Sequence, residues 1–126
     1  MAGEQILVVE DNEKSMKLFR DVLQAKGYRT LEATTGGRAV ELATEHGPDL
    51  VLMDVQLPDI DGVEALGRLR ADERTASIPV LALTAQAMDG DRERFLAAGF
   101  DGYLSKPVNI VALVDTVKQH CEGRAR

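Results

Sequence analysis

The chain has 126 residues, 44% hydrophobic and only 4% aromatic, enough for one domain whose core is packed by aliphatic side chains. Its net charge of −6 argues against a dedicated surface for DNA or for insertion into an anionic membrane. Cys121 is the only cysteine, which excludes an internal disulfide and fits a reducing cytoplasm; no apolar stretch approaches the roughly 20 residues of a membrane span, and the chain enters a strand too early for a signal peptide.

Gln5–Glu10 reads as the first strand. Met16, Phe19 and Leu23 then recur at helical spacing, and Gly27 supplies a stop. Arg29–Ala33 is a weaker strand. Thr35 caps a second helix in which Ala39, Val40 and Ala43 face inward, and Gly47-Pro48 ends it. Asp49–Asp54 is a third strand. Its apolar run from Leu50 to Met53 is unbroken, as in a strand buried on both faces of a parallel sheet. Asp61-Gly62-Val63-Glu64 opens a third helix in a cap-x-x-Glu arrangement, with Val63, Leu66 and Leu69 as its stripe. Ile78–Ala85 is a fourth strand. A fourth helix covers about Met88–Ala98 and stops at Gly99. Gly102–Lys106 is the fifth strand, and Ile110, Leu113, Val114, Val117 and Cys121 form the stripe of a fifth helix. Strand and helix alternate throughout, which implies a parallel sheet with helices on both faces. Residues 1–126 are expected to form one α/β domain with no second, output domain.

The strand ends carry the chemistry. The first strand ends in Glu10-Asp11, the third in Asp54, the fourth in Thr84-Ala85 and the fifth in Ser105-Lys106-Pro107. In a doubly wound fold these ends meet at one edge, where ligands bind. A carboxylate has little reason to close a buried strand unless it is used there, because burying it unpaired is costly. Three carboxylates together raise one another's pKa unless a cation is present. Oxygen ligands suit Mg²⁺, which Mn²⁺ could replace; the absence of thiol and imidazole ligands argues against zinc. His46 and His120 read as surface residues.

One chemistry uses all of these groups. A carboxylate can attack a phosphoryl group and become an aspartyl phosphate, and phosphoryl transfer asks the protein for positioning and charge neutralisation. Asp54 is then the nucleophile, Asp11 a direct metal ligand and Glu10 a ligand through water. Gln56 supplies its main-chain carbonyl. Lys106 and Thr84 contact phosphoryl oxygens.

The stretches Val8-Val9-Glu10-Asp11-Asn12, Asp49 to Gly62, Ile78 to Ala85 and Gly102 to Pro107 together resemble the receiver domain of two-component response regulators. The resemblance spans essentially the whole chain. It implies a flavodoxin-like, doubly wound (βα)5 fold with strand order 2-1-3-4-5. It makes Asp54 the phosphorylation site, Glu10 and Asp11 the acidic pair, Thr84 the switch hydroxyl, Tyr103 the switch aromatic and Lys106 the phosphate-contacting lysine. A cis Lys106-Pro107 bond is implied by the resemblance alone. Glu10 to Glu13, Met16 to Phe19, Thr84-Ala85, Ala87-Met88 and Gly90-Asp91 look most like the single-domain DivK-type division-control regulators.

The expected partners are a sensor histidine kinase or a histidine phosphotransfer protein, and a downstream protein bound on the face of the fourth helix, fifth strand and fifth helix. No nucleic acid and no membrane insertion are expected. The protein is read as a phosphoacceptor that assists its own phosphorylation rather than as an enzyme. Gln56 and Gln86 lie two residues beyond Asp54 and Thr84 and are candidates for tuning the lifetime of the phosphorylated state. Asp59 and Asp61 read as turn and cap residues. The rival readings are a phosphorelay intermediate, a receiver cut from a larger protein, a metal-dependent phosphohydrolase and a flavin mononucleotide binder. The phosphohydrolase would want a second acid where Gln56 stands. The flavin binder would need a phosphate-cradling loop where Glu10-Asp11-Asn12-Glu13 stands.

Overall fold

The computed structural model describes residues 3–85 and 91–124. Five strands, β1 (Gln5–Val9), β2 (Arg29–Ala33), β3 (Leu50–Asp54), β4 (Val80–Thr84) and β5 (Gly102–Ser105), alternate with five helices, α1 (Glu13–Ala25), α2 (Gly36–His46), α3 (Gly62–Ala71), α4 (Asp91–Ala98) and α5 (Ile110–Arg124). The strands form one parallel sheet in the order β2-β1-β3-β4-β5, as expected. Four strands are one to three residues shorter than the sequence suggests. Pro79 has no N–H to give to a ladder, so β4 starts at Val80, while the Pro79 carbonyl still accepts from Val51. Asp49 precedes β3, and its side chain accepts from Gln5 N instead. The Met88 start expected for the fourth helix lies outside the described residues.

Period two along the strands builds two cores. Leu7, Val9, Val51, Met53, Val80 and Ala82 point to one face, where Ala39, Leu42 and Ala43 of α2, Ala65, Leu66 and Leu69 of α3, and Phe95 of α4 cover them. Ile6, Val8, Leu50, Leu52, Leu81 and Leu83 point to the other, under Met16, Phe19 and Leu23 of α1 and Leu113, Val117 and Cys121 of α5. Leu50 to Met53 are all fully buried, which is why β3 carries no polar residue before Asp54.

Three helical stripes differ from the expected ones. Val63 is 41% exposed, and Ala65 takes its place beside Leu66 and Leu69. In α2, Leu42 is buried where Val40 is half-buried. In α5, Ile110 is exposed and Val114 half-buried, so the inward row is Leu113, Val117 and Cys121 at spacing four. At the first turn of a helix an apolar residue need not meet the sheet, and Val63 and Ile110 both sit there. Gly47 ends α2 in the left-handed region at φ 56°, with its N–H on the Ala43 carbonyl. His46 is exposed, whereas His120 is half-buried, its Nδ1 2.8 Å from the Thr116 carbonyl.

Candidate functional site

The site lies at the C-terminal edge of the sheet, where β1 and β3 end side by side and Lys106, just after β5, reaches across the end of β4. Glu10 follows β1 and its backbone N–H continues the ladder to the Ala33 carbonyl. Its side chain is fully buried. Asn12 caps α1, accepting from Ser15 N through its side chain, and its own N–H donates to Glu10 Oε2 at 3.2 Å. That orienting contact is one the sequence reading did not anticipate. Asp54 is the last residue of β3 and is 5% exposed. Gln56 N–H donates to Asp54 Oδ1 at 2.9 Å, and Lys106 Nζ donates to Asp54 Oδ2 at 2.9 Å. Lys106 Nζ also donates to Glu10 Oε1 in a short bond.

One carboxylate oxygen from each of Glu10, Asp11 and Asp54 lies within 4.8 Å of the other two. Mg²⁺ holds oxygens at about 2.0–2.1 Å, so opposite ligands of one ion are about 4 Å apart and the cluster has a matching span. The donor set is all oxygen, which suits a hard cation, and the exposed Asp11 leaves one side open to water. Three carboxylates against one ammonium leave two negative charges, the complement of a divalent ion. The residues present therefore fit a metal of this kind.

Burial is the main cause that raises the Glu10 carboxyl from 4.5 to about 7. A hydrogen bond with Asp54 pushes the same way, while Lys106 and the Asn12 N–H oppose it. Burial alone would depress the Lys106 ammonium, but its bonds to Glu10 and Asp54 outweigh that and hold it above the usual lysine value.

The other candidates sit around this cluster. Thr84 ends β4, is buried, and its carbonyl accepts from Lys106 N at 2.7 Å. The Lys106-Pro107 bond is cis. Tyr103 is half-buried in β5. Its ring lies 6.1 Å from that of Phe95, and it lines a groove of about 400 Å³ with Leu96, Asp101, Leu104, Ser105 and Thr116. The Gln56 side chain is exposed. Gln86 lies outside the described residues. Asp61 caps α3 by accepting from Glu64 N at 2.8 Å, as expected of a cap, while Glu64 pairs with Arg68. Asp59 does more than form a turn: it accepts from Gly36 N and Gly37 N at the start of α2, at 2.8 and 2.9 Å.

A buried aspartate at a strand end, an acidic pair just beyond the neighbouring strand and a lysine that bridges Glu10 and Asp54 form an acidic site suited to a hard cation at the C-terminal edge of a flavodoxin-like sheet. The model of the response regulator receiver domain matches residues 6–118, and the chain belongs to that family. It is 46% identical over 117 residues to the polar-differentiation response regulator DivK of Brucella ovis, covering 93% of this chain and 95% of that one. The receiver domain of the sensor histidine kinase PA1611 from Pseudomonas aeruginosa, solved with a magnesium ion in its active-site cleft, is 38% identical with a TM-score of 0.88, covering 96% of this chain and 99% of that one. A response regulator from Chloroflexus aurantiacus superposes with a TM-score of 0.90 at 32% identity, covering 95% and 98%. Receiver domains bind Mg²⁺ at an acidic site and act as phosphoacceptors in signalling. No helix among the described residues is long and apolar enough to cross a membrane.

Proposed function

We propose that Asp54 accepts a phosphoryl group from the phosphohistidine of a sensor histidine kinase or a histidine phosphotransfer protein. The observation that carries this reading is the Asp54 carboxylate itself, held at the sheet edge by Lys106 Nζ and Gln56 N–H beside Glu10 and Asp11. Asp11, Asp54 and the Gln56 carbonyl would hold Mg²⁺, with Glu10 acting through water; Mn²⁺ could take the same place. When bound, the ion neutralises charge on the phosphoryl oxygens. An Asp54 oxygen attacks phosphorus, the P–N bond breaks, and the leaving imidazole keeps the electron pair and takes up a proton. Lys106 faces the oxygens from one side and the Thr84 hydroxyl contacts another. Gln56, with Gln86, would then tune hydrolysis of the product. An amide at position 56 cannot serve as a second acid, which weighs against the phosphohydrolase reading.

Occupancy of Thr84 by the phosphoryl group would shift a two-state equilibrium that Tyr103 reports on the groove between α4, β5 and α5, where a downstream protein binds. Incubation with acetyl phosphate and Mg²⁺ should add one phosphoryl group to the wild type and none to Asp54→Asn, read by intact mass. Equal labelling of the variant would refute the assignment.

A further inference from the structure

We infer that Asp59 is a positioning residue for the phosphoacceptor: it ties the β3–α3 loop to the start of α2 and so holds the Gln56 main chain beside Asp54. This inference rests on the phosphoacceptor reading above.

The loop from Gln56 to Asp61 has no regular structure, so its placement depends on its ties. At its far end Gly62 N donates to the Val55 carbonyl at 2.9 Å. A Cβ on Gly62 would come within 2.7 Å of the Asp54 carbonyl oxygen, so α3 starts directly against the phosphoacceptor's own backbone. Asp59 supplies the second tie, with one oxygen on Gly36 N and the other on Gly37 N. Both glycines make room for it. A Cβ on Gly37 would meet Asp59 Oδ2 at 3.1 Å, and one on Gly36 would meet Ile60 Cγ1 at 2.5 Å.

Helix α2 already has a local cap, because Thr35 Oγ1 accepts from Arg38 N at 3.1 Å. The Asp59 carboxylate is thus a second acceptor brought in by a remote loop, and what it constrains is the loop as much as the helix. The element at stake carries the Gln56 N–H that orients Asp54 and the Gln56 carbonyl assigned to the metal. Groups hydrogen-bonded directly to a metal ligand typically change affinity or activity by roughly 10–100-fold when removed, and Asp59, one step further out, belongs at the low end of that range.

The test compares Asp59→Ala with Thr35→Ala, which weakens α2 without touching the loop. Asp59→Ala is expected to weaken Mg²⁺ binding by calorimetry and to slow acetyl-phosphate labelling by roughly tenfold. Hydrogen exchange at Gln56 N–H in the metal-free protein should speed up as well. Thr35→Ala is expected to lower the melting temperature and leave all three unchanged. Asp59→Asn keeps one oxygen acceptor, so it should fall between wild type and alanine, and it serves if the alanine variant does not fold. The loss should persist at high salt, since a tie differs from a screened surface charge. Equal behaviour of the Asp59 and Thr35 variants, or a loss that disappears at high salt, would overturn the positioning role. Failure of the wild type to take label would instead refute the phosphoacceptor reading itself, and this inference with it.

Discussion

Replacing Glu10 by glutamine is expected to stabilise the metal-free protein at alkaline pH and to change little at acid pH. The Glu10 side chain is fully buried, and its carboxyl is raised from 4.5 in an unfolded chain to about 7 in the folded one. A group raised in this way binds its proton more tightly in the native state, so stability falls as pH rises between 4.5 and about 7. Below that window Glu10 is protonated in both states and contributes no penalty. Above it the full difference is present, about 3 kcal/mol. Glutamine mimics the protonated form in shape and keeps one acceptor oxygen for Lys106, with its NH2 facing the Asn12 N–H.

Urea unfolding in the presence of a chelator, at pH values on either side of the window, reads the effect. Glu10→Gln should gain up to about 3 kcal/mol on the alkaline side and close to nothing on the acid side. Added Mg²⁺ should reverse the ranking, because the wild type offers the ion one more negative charge. Apparent Mg²⁺ affinity of the wild type should rise with pH up to about 7 and then level off, since a proton and the metal compete for one cluster. A variant that is less stable than the wild type at alkaline pH, or equally shifted at both, would refute the reasoning. It would mean that the Lys106 pair, not burial, dominates at Glu10.

Lys106→Met removes the cation that bridges Glu10 and Asp54, and should cost the metal-free protein about 2–3 kcal/mol by chemical denaturation. The same variant should bind Mg²⁺ more tightly by calorimetry yet label more slowly with acetyl phosphate. Gly62→Ala drives a Cβ to 2.7 Å from the Asp54 carbonyl and 2.8 Å from Val55 Cα, both backbone atoms that cannot swing away. It should lower both stability and the labelling rate, read by thermal unfolding and intact mass. Arg70→Met removes four hydrogen bonds, to the Ala76, Ile78 and Gly99 carbonyls and the Asp101 carboxylate. The loss should be about 2–3 kcal/mol, on the order of a 10 °C fall in melting temperature, with labelling of Asp54 unchanged because the clamp lies at the opposite edge of the sheet.

The sheet was legible because each strand obeys a simple local rule. Leu50 to Met53 could be placed between two helix layers from the absence of any polar residue, and the helix ends from Gly27, Gly47 and Gly99, all of which take positive φ. The convergence of Glu10, Asp11, Asp54 and Lys106 followed from topology, since parallel strands deliver their ends to one edge. Val63 and Ile110 were misplaced because hydrophobicity does not say which apolar residue of a turn meets the sheet, whereas Val40 does pack against the core but is only half-buried. Arg70 and Asp59 were illegible for another reason. Their partners are mainly backbone N–H and carbonyl groups outside their own elements, and backbone groups carry no sequence signal.

The charge arrangement at the sheet edge suits both the metal and the phosphoryl group proposed for this site. With Glu10 ionised, three carboxylates and one lysine leave two negative charges in a place where Glu10 and Asp54 are buried. The metal-free protein relieves part of this strain by holding the Glu10 proton up to about pH 7. Phosphorylation of Asp54 would replace a single negative charge by roughly two, so the product needs a cation more than the substrate does. Lys106 is already committed to both carboxylates, and its bonds would have to be shared with the incoming oxygens. A movement of the Lys106 side chain would then be the expected structural consequence of phosphorylation. It would act next to β4 and β5, because Lys106 N is bonded to the Thr84 carbonyl and Ser105 sits opposite Thr84 in the ladder. Tyr103 lies on that same strand two residues before Ser105, against Phe95 of α4, so charge redistribution at Asp54 would have a short, continuous route to the α4–β5–α5 groove.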